Sequence, residues 1–477
     1  MSKIFFINPP APKKNIIVIR DLDRSGRQSM EKTIWPQTSL AYLATIVKDS
    51  FEVKVIDCIA EKIYWNEFEE IIKKEKPKYI LTNVISSTLT NDLRVAEIGQ
   101  RIGAVTIAVG SHITALPEES LRNFPALDYL ILGEAEETIK ELVSFLEIHK
   151  NKNELDDIRG IAFRRNENIV ITKERPLIKN LDDLPIPLHQ LLPINKYNLP
   201  FVGKGYTFVT TSRGCPYQCI FCRSPIIWHR IVRSRSVKSI LKELKLLKKL
   251  KIRNFLVHSD VFTVNKDIAI ELCQEMINRG FRFKWICNSR VDTVDEELLS
   301  WMKKAGCWMI NYGIESGSQK VLDQAKKGIT LSQIKKAVYL TKKVGIKAWG
   351  YFMIGLPGES WQTVEETIKL AKRLPLDLAN FAVAAPYPGT EFYELVKRNG
   401  WLISSNWEDF DQNYSPIVSY PQMSNQEISR AMKKAYLAWY LRPSAICKLI
   451  SGIKNWNDFK TILQIAFSHG QWIISKN

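Results

Sequence analysis

Short apolar stretches alternate with segments of helical spacing in the first part of the chain. Strands are predicted where apolar residues run together, and helices where they recur every three or four positions. The predicted strands are Lys3–Asn8, Phe51–Asp57, Tyr79–Ser86, Ala104–Gly110 and Leu127–Gly133. The predicted helices are Thr38–Lys48, Asn66–Lys74, Asp92–Ile102 and one that begins at Glu134. Repeated β–α units indicate a doubly wound α/β domain with a parallel sheet over residues 1–145.

The alternation stops at residues 146–200 and resumes at Tyr206. The interruption is polar, contains prolines, and has a hairpin pattern at Gly160–Lys173, so it is predicted to be a connector. The strands predicted after it are Tyr206–Ser212, Asn254–Ser259, Phe283–Ser289, Trp308–Gly313, Lys347–Ile354 and Ala379–Ala384. They indicate a partial (β/α)6 barrel over residues 201–424, with a site at the carboxyl ends of its strands. Residues 425–477 have the pattern of a helical tail, interrupted by Pro443.

Composition and charge narrow the class of protein. The 477 residues are 45% hydrophobic and 25% charged, as in globular proteins. No apolar run approaches the roughly 18–20 residues that a membrane-spanning helix needs. The first residues lack a signal-peptide pattern, so a cytoplasmic location is predicted. The net charge of +18 favours anionic partners such as nucleic acid, acidic lipid headgroups or phosphorylated substrates.

Three of the eight cysteines lie close together, directly after the first predicted barrel strand: Cys215, Cys219 and Cys222. A disulfide framework would be spread differently, so the group predicts a metal site. Thiolates favour iron–sulfur clusters and zinc. A cubane cluster held by three cysteines leaves one iron open to a small molecule. A structural zinc needs a fourth ligand, for which His229 is the nearest candidate.

The cysteine loop resembles the signature of the radical S-adenosylmethionine (SAM) superfamily, C-x3-C-x-aromatic-C, with Phe221 as the aromatic residue. The resemblance implies a [4Fe-4S] cluster whose open iron chelates SAM. An external donor of flavodoxin or ferredoxin type would supply the electron that cleaves SAM to a 5′-deoxyadenosyl radical. The further SAM-binding positions that the resemblance implies are Asp260, Glu315, Ser316, Gly355 and Glu359.

Four N-terminal segments resemble the branch of this superfamily that carries a Rossmann-like cobalamin-binding domain: Ile7–Pro10, Leu40–Ala44, Val109–Glu118 and Gly133–Glu136. The group most resembled is that of the bacteriochlorophyll ring cyclases and hopanoid methylases. The resemblance implies that cobalamin binds at the carboxyl edge of the sheet. The small and polar residues predicted there are Ser86, Ser87, Thr88, Gly110, Ser111, His112, Gly133 and Glu134.

One departure from cobalamin proteins concerns the lower axial ligand. Those that replace this ligand use Asp-x-His-x-x-Gly, and none of the six histidines lies in that pattern. Cobalamin would therefore be bound without a protein histidine. A degenerate sheet without cofactor remains an alternative, as does a buried His112 bonded to a loop carbonyl.

The function implied by the resemblance is methylation of an unactivated carbon of a hydrophobic substrate. One alternative is a cyclase or oxidoreductase that uses the same radical without methyl transfer. Another is a cobalamin carrier or sensor with an idle barrel, which the intact cysteine group disfavours. RNA methylthiotransferases need three cysteines in the N-terminal domain, where this chain has only Cys58. They also end in a small β-barrel, so nucleic acid is not expected as a partner.

Two basic segments leave alternatives open. Arg230–Arg253 contains ten Lys or Arg and one Glu, and a barrel helix with a solvated face is favoured there over a binding patch. Residues 431–477 contain seven Lys or Arg against Asp458, together with aromatic residues. The aromatic residues of this segment include Trp439, Tyr440, Trp456 and Trp472. This pattern fits either an interfacial helix that contacts a membrane surface or a helical cap on the barrel.

Overall fold

The computed structural model describes residues 1–22, 26–149, 152–199, 203–413 and 416–451, with single positions at 459, 463 and 470. The N-terminal strands are β1 (Lys3–Asn8), β2 (Val18–Ile19), β3 (Arg27–Gln28), β4 (Glu52–Asp57), β5 (Tyr79–Asn83), β6 (Val105–Val109) and β7 (Tyr129–Ile131). The helices are α1 (Thr38–Val47), α2 (Cys58–Glu61), α3 (Trp65–Glu75), α4 (Leu89–Arg101), α5 (Ser111–Ala115), α6 (Pro117–Asn123) and α7 (Ala135–Ile148).

The first sheet is doubly wound, as predicted. Its parallel strands run in the order β4-β1-β5-β6-β7, and every pairing among them is parallel. Phe6 of β1 packs into the core on one face of the sheet, and Phe5 packs into the core on the other. A strand covered on both faces must be apolar throughout, which explains the continuous apolar run of β1.

The predicted hairpin forms, but it belongs to the first sheet. Strands β8 (Ile161–Arg165) and β9 (Asn168–Ile171) add to β7 in antiparallel order. Pairing with β8 satisfies the backbone groups that β7 would otherwise expose along its outer edge. The N-terminal unit therefore extends beyond residue 145, to about residue 171.

The second unit is the predicted partial barrel. After a small pair, β10 (Asn198–Leu199) and β11 (Gly203–Lys204), its strands are β12 (Tyr206–Val209), β13 (Ser212–Arg213), β14 (Arg233–Ser234), β15 (Asn254–Val257), β16 (Lys284–Ser289), β17 (Cys307–Glu315), β18 (Lys347–Ile354) and β19 (Leu378–Val383). Its helices are α8 (Ser224–Trp228), α9 (Val237–Lys249), α10 (Lys266–Asn278), α11 (Glu296–Lys304), α12 (Gln319–Gln324), α13 (Leu331–Lys343), α14 (Trp361–Arg373) and α15 (Glu391–Arg398). The parallel sheet runs β12-β15-β16-β17-β18-β19.

The first basic segment, Arg230–Arg253, contains helix α9. Helix α9 buries Leu244 and Leu247 and leaves most of its lysines outside, as expected for a barrel helix with a solvated face. Arg233 and Arg235, just before it, are buried in ion pairs. The segment is thus a structural part of the barrel.

The described tail is a cap on the barrel. It contains α16 (Asn425–Tyr440) and α17 (Pro443–Ser451). Helix α16 packs on β19 and α14, where Trp439 is buried and the Tyr436 hydroxyl donates to Asn380. Trp456 and Trp472, part of the predicted interfacial pattern, lie outside the described residues. Among the described residues, none of the helices is long and apolar enough to cross a bilayer.

Residues 9–37, between β1 and α1, form an insert segment that reaches from the first unit to the barrel. The Tyr206 hydroxyl of the barrel donates to the Ile34 carbonyl, and the Trp35 ring meets the Phe208 ring edge-on at 5.3 Å. His258 Nε2 lies 2.6 Å from Asp21 Oδ2. The barrel mouth is therefore partly built by the N-terminal unit.

Candidate active site

The cysteine loop begins at a backbone turn that only glycine fits. Gly214 has a φ of +86°, and a Cβ atom there would lie 2.0 Å from the Ile231 carbonyl oxygen. The loop that follows places Cys215, Cys219 and Cys222 on the wall of one cavity of about 400 Å³. The chain direction thus turns sharply at the end of the first barrel strands and brings all three thiols to the barrel mouth.

Contacts from several parts of the barrel fix this loop. Gly214 N–H donates to Asp260 Oδ2 at 3.0 Å, and Ile220 N–H donates to the Ala325 carbonyl at 3.2 Å. The Arg290 guanidinium lies 3.4 Å from the centre of the Tyr217 ring. Because these contacts come from the loops after β15 and β16 and from the end of α12, the loop geometry depends on several parts of the barrel being formed.

Thiols are the ligands by which proteins hold iron–sulfur clusters. Among the described residues, no group of three His, Cys, Asp or Glu is gathered closely enough to hold one metal ion. Burial raises the pKa of Cys215 to about 11 and that of Cys222 to about 12, so metal must replace protons when it binds. His229, the alternative zinc ligand, pairs with Glu174 and does not line the cysteine cavity. The donor set therefore fits an iron–sulfur cluster.

Basic side chains surround the cysteines. Arg223, Arg290 and Lys327 all line the same cavity. Lys327 Nζ lies 2.7 Å from Glu315 Oε1, and although burial alone would lower the pKa of Lys327, Glu315 raises it. These cations favour the charged thiolates that a cluster requires.

The structure separates the predicted SAM residues into two sets. Phe221, Asp260 and Glu315 line the cysteine cavity, and Glu315 has a φ of +63°, an uncommon conformation for its residue type. Ser316, Gly355 and Glu359 do not line it. The Ser316 hydroxyl lies 3.1 Å from that of Thr367, and Glu359 accepts from Thr363 and from the Gly355 N–H. In the structure these three residues bond to neighbouring side chains and backbone groups, and their role in SAM binding stays a prediction.

Beyond the cysteines, one part of the cavity wall is apolar and aromatic, and a similar number of polar and charged side chains line the rest. Its apolar wall comes from inward-facing positions of the barrel strands and from the insert segment and β10: Ile19, Leu199, Leu256, Ile286, Met309 and Met353. Trp35, Trp349, Tyr351 and Tyr387 add aromatic surface. Arg27 and Glu31, which pair with each other, also lie on the wall. The site thus joins a thiol cluster to an apolar chamber.

The predicted cobalamin edge of the first sheet is buried under the barrel. Helix α5 packs on α8, and the turn Ser86–Thr88 packs on the turn Trp407–Asp409. His112 Nδ1 lies 2.9 Å from Ser86 Oγ, and its ring meets Trp407 edge-on at 5.1 Å. Burial, with a smaller effect of the Arg223 charge, lowers the pKa of His112 to about 3. His112 is therefore a neutral, buried residue whose partner is a side-chain hydroxyl, whereas the sequence suggested a loop carbonyl.

Glu134 lies at the contact between the two units. Its carboxylate pairs with Arg213 at 2.7 Å and with Arg233 at 2.8 Å, and it accepts from the Ile178 N–H. Burial would raise the pKa of Glu134, but the two arginines outweigh that effect and lower it. Glu136 pairs with Arg213 at 2.5 Å. Glu134 thus ties the two units together, and its role at the cobalamin site stays a prediction.

Other predicted cobalamin residues keep chemistry that suits a cofactor. Gly110 has a φ of +136°, and a Cβ there would lie 2.4 Å from the Val84 carbonyl oxygen, so no side chain fits. Gly110, Gly133 and Glu134 line a second cavity of about 50 Å³ between the units, while Ser86, Ser87, Thr88, Ser111 and His112 line neither cavity. The 50 Å³ space has room only for water-sized molecules.

Unpaired buried donors lie between this edge and the cysteine loop. Arg223 is 4% exposed and donates to Ser111, with its guanidinium 4.6 Å from the Tyr387 ring. Within the described residues, its Nε and Nη1 have no hydrogen-bond partner, nor do the side-chain atoms of Asn83. Unpaired buried donors are costly, so a polar ligand at this edge would stabilise them. The edge therefore fits a cofactor with amide groups on its periphery, as cobalamin has.

Several of these residues escaped sequence reasoning. Arg213, Arg223 and Lys327 were not singled out, nor was the insert segment as part of the site. A signal existed only for Arg213, which directly precedes the cysteine loop and is opposite in charge to the Glu134-Ala-Glu136 segment. Pairing partners 79 residues apart are set by the docking of the two units.

Comparisons with known proteins agree with this architecture. The family model of the B12 binding domain matches residues 32–143, and that of the radical SAM superfamily matches residues 209–371. An uncharacterised methyltransferase of Pyrococcus horikoshii is 36% identical over 436 residues, covering 91% of this chain and 94% of that protein. The anaerobic magnesium-protoporphyrin IX monomethyl ester cyclase of Cereibacter sphaeroides is 27% identical over 417 residues, covering 86% of this chain and 67% of that protein.

A solved structure shares the fold across both units. The radical SAM methyltransferase TsrM from Kitasatospora setae, with cobalamin and a [4Fe-4S] cluster bound, matches with a TM-score of 0.70 and 15% identity. The match covers 93% of this chain and 90% of that one. At this identity the likeness concerns the fold alone.

Proposed function

The chain belongs to the radical SAM superfamily, in the branch with a cobalamin-binding domain, and on that premise we propose that it methylates an unactivated carbon of a hydrophobic small molecule. Its cofactors are a [4Fe-4S] cluster, SAM and cobalamin. When bound at the cysteines, the cluster supplies the electron that cleaves SAM reductively. Cobalamin, when bound, would carry the methyl group.

The cavity that begins at the cysteines and continues between apolar walls carries this proposal. Cys219 and Met309 line the same 400 Å³ space, so a substrate on the apolar wall shares one chamber with the cluster loop. Apolar walls favour an apolar substrate because burying its surface contributes about 25 cal/mol per Å². They also exclude water from the reacting carbon.

The residues of the chain that hold SAM in this proposal are those on the cavity wall. Asp260 supplies a carboxylate for the ammonium group of SAM while it anchors Gly214. Glu315 offers acceptor oxygens for the ribose hydroxyls, and its pairing with Lys327 keeps the carboxylate compatible with a buried site. Phe221 closes the loop side of the same wall.

For cobalamin we propose the edge that contains Gly110, Ser111 and Asn83, with Arg223 next to it. Asn83 and Arg223 have buried donors without partners among the described residues, and Gly110 has the Val84 carbonyl packed where a side chain would be. Because Arg223 also lines the cysteine cavity, it would contact both cofactor regions. His112 is committed to Ser86 and is not proposed as a cobalt ligand.

A cyclase or oxidoreductase that uses the same cofactors without methyl transfer is the second candidate. The similarity to the magnesium-protoporphyrin IX monomethyl ester cyclase over 86% of this chain favours it. The greater identity to a methyltransferase-named protein, 36%, favours methylation.

The test is anaerobic turnover of the reconstituted protein with SAM, cobalamin and a reductant. Candidate substrates include tetrapyrroles and isoprenoids, and 5′-deoxyadenosine and S-adenosylhomocysteine are measured by mass spectrometry. Methylation predicts both products, because one SAM provides the radical and another the methyl group. Deoxyadenosine alone with a modified substrate would favour the cyclase, and absence of deoxyadenosine would reject the radical mechanism.

Partners and location complete the proposal. An external donor of flavodoxin or ferredoxin type supplies the electron, and the net charge of +18 favours docking of an acidic carrier. The protein acts in the cytoplasm. Residues beyond 451 provide peripheral contact with an anionic membrane surface, since they include Lys454, Lys460 and Lys476 among aromatic and aliphatic residues.

A further inference from the structure

Three neighbouring barrel strands place polar side chains in one row on the inner wall. Asn288 of β16 pairs in register with Asn311 of β17, and Asn311 pairs in register with Trp349 of β18. All three side chains line the 400 Å³ cavity. The row is flanked by the apolar residues Ile286 and Met309, two positions earlier on their strands. It is therefore a polar strip that borders the apolar part of the wall.

The strip contains an acceptor and a donor that the described residues leave unpaired. Asn311 Nδ2 donates to Asn288 Oδ1 at 3.0 Å, which fixes the orientation of the Asn311 amide. Asn311 Oδ1 and Trp349 Nε1 are buried and have no hydrogen-bond partner in the described part of the chain. Asn311 is 5% exposed and Trp349 is 8% exposed. Leaving such groups unpaired costs about 1–3 kcal/mol each, so a ligand that pairs them is strongly favoured.

The spacing and surroundings define the ligand. Neighbouring strands lie about 4.8 Å apart, so the two side chains start close enough together for one ligand group to reach both. The Trp349 ring is stacked on Tyr351 at 5.2 Å, which offers a flat aromatic surface beside the strip. Of the charged groups that line the cavity, Arg27 pairs with Glu31, Arg290 with Asp292 and Lys327 with Glu315, while Arg223 contacts Ser111 at the proposed cobalamin edge. The two unpaired atoms themselves belong to neutral side chains. The ligand group should therefore be neutral.

We propose that Asn311 Oδ1 and Trp349 Nε1 recognise a neutral group with an N–H donor beside a carbonyl acceptor, such as a lactam or secondary amide, on an otherwise apolar planar substrate. The amide N–H donates to Asn311, and Trp349 donates to the carbonyl. This inference rests on the proposed function, since it takes the apolar chamber to be the substrate site. It adds the polar group by which that substrate is oriented.

The test compares three aromatic probes of the same shape: naphthalene, quinoline and quinolin-2-one. Naphthalene has no polar atom, quinoline has an acceptor, and quinolin-2-one has a donor beside an acceptor. Affinities for the cluster-loaded protein are measured by anaerobic equilibrium dialysis. The quantity compared is the affinity ratio of quinolin-2-one to naphthalene, which removes the contribution of the shared ring area.

Asn311→Leu and Trp349→Phe each remove one partner, and each should lower this ratio about three- to tenfold relative to the wild type. Met309→Leu, on the same wall without a polar atom, is the matched control and should leave the ratio unchanged. Thermal unfolding shows which variants are folded. One folded variant, at Asn311 or at Trp349, suffices for the test. An unchanged ratio in a folded Asn311 or Trp349 variant overturns the proposal.

The same wild-type preparation is assayed for 5′-deoxyadenosine with SAM and reductant. Its absence would reject the proposed function, whereas the probe ratio depends only on the two side chains. Failure of the proposed function can therefore be distinguished from failure of the proposed recognition by Asn311 and Trp349. If both single variants misfold, Trp349→His restores a ring N–H at this position, and a loss of the quinolin-2-one preference in that folded variant contradicts the role assigned to the Trp349 donor.

Discussion

The carboxyl ends of two parallel sheets meet between the units, yet they differ in what fills them. At the barrel mouth, glycine turns and small loops leave a cavity of about 400 Å³ beside the cysteines. At the first sheet, Arg20 pairs with Asp92 at 2.7 Å and donates to Asn8 and to the Pro9 carbonyl. The same topological position is open in one sheet and occupied by its own side chains in the other.

This difference shows that a crevice at the ends of parallel strands is not enough to make a binding site. The switch point of a 2-1-3-4-5 sheet lies beside its first strand, and here the Arg20 network fills it. Unpaired donors remain one strand further along, at Asn83 and at Arg223 of the neighbouring loop. The lining side chains, more than the fold, decide where a ligand binds.

Substitutions in the cysteine loop should have the largest effect, because they remove the predicted cluster site from the barrel mouth. Replacing Cys215, Cys219 and Cys222 together with Ala should abolish iron loading and SAM cleavage, because no thiolate remains to hold the cluster. Iron content and 5′-deoxyadenosine are measured after anaerobic reconstitution. Cys273→Ala, in the barrel core, is the control and should load iron as the wild type does. An equal loss in that control would mean that the cavity cysteines are not the ligands.

The tie between the two regions should show the next largest effect. Glu134→Ala leaves Arg213 and Arg233 buried without this carboxylate, which should cost about 3–5 kcal/mol of unfolding free energy. Chemical denaturation measures this loss of unfolding free energy. Glu137→Ala is the control, because Glu137 is exposed and its Oε2 lies 3.8 Å from Arg175 Nη1. A loss below about 1 kcal/mol, as typical of surface pairs, would contradict a tie at this position.

Buried titratable groups in the two regions should respond to pH in opposite directions. Burial raises the pKa of Glu359 from 4.5 to about 7, so the folded state binds the extra proton and stability falls as pH rises through this window. The fall should be on the order of 3 kcal/mol. Glu359→Gln should flatten it, whereas Glu365→Gln, exposed on the helix α14 that follows Glu359, should not. Denaturation midpoints from pH 4 to 8 test this expectation.

At the first sheet the sign is reversed, because burial lowers the pKa of His112 from 6.5 to about 3. The unfolded chain binds the proton more readily, so this residue makes stability rise with pH up to about 6.5. A neutral, Ser86-bonded His112 also predicts that His112→Ala leaves the absorption spectrum of bound cobalamin unchanged. A wild-type spectrum with histidine on cobalt, lost in the variant, would instead make His112 a ligand.

The tail should show the smallest effect. A chain that ends at Ser451 keeps α16 and α17 and lacks Lys454, Lys460, Lys476 and Asp458. At about 1 kcal/mol for each net positive charge near an anionic surface, its binding to anionic liposomes should fall roughly tenfold or more. Co-sedimentation at low and high salt, with neutral liposomes as control, measures it. Equal binding of both chains would leave the tail as a cap alone.

The sequence by itself determined the architecture and pointed to the three cysteines as the predicted cluster site. Apolar runs such as Lys3–Asn8 and Lys347–Ile354 predicted strands because a strand covered on both faces is mostly apolar. The cysteines stood out because all three lie within a single loop. Such patterns can be recognised in the sequence because the residues that act together are also close together in the chain.

Only the tertiary structure decided which polar residues line the cavity and which hold the units together. Glu134 and Arg213 are 79 residues apart, and Asn311 and Trp349 meet only through strand register. The insert segment enters the barrel mouth because the two units dock, a contact with no local signature. Such pairings depend on packing between distant segments, and their residue types alone fit a solvated surface equally well.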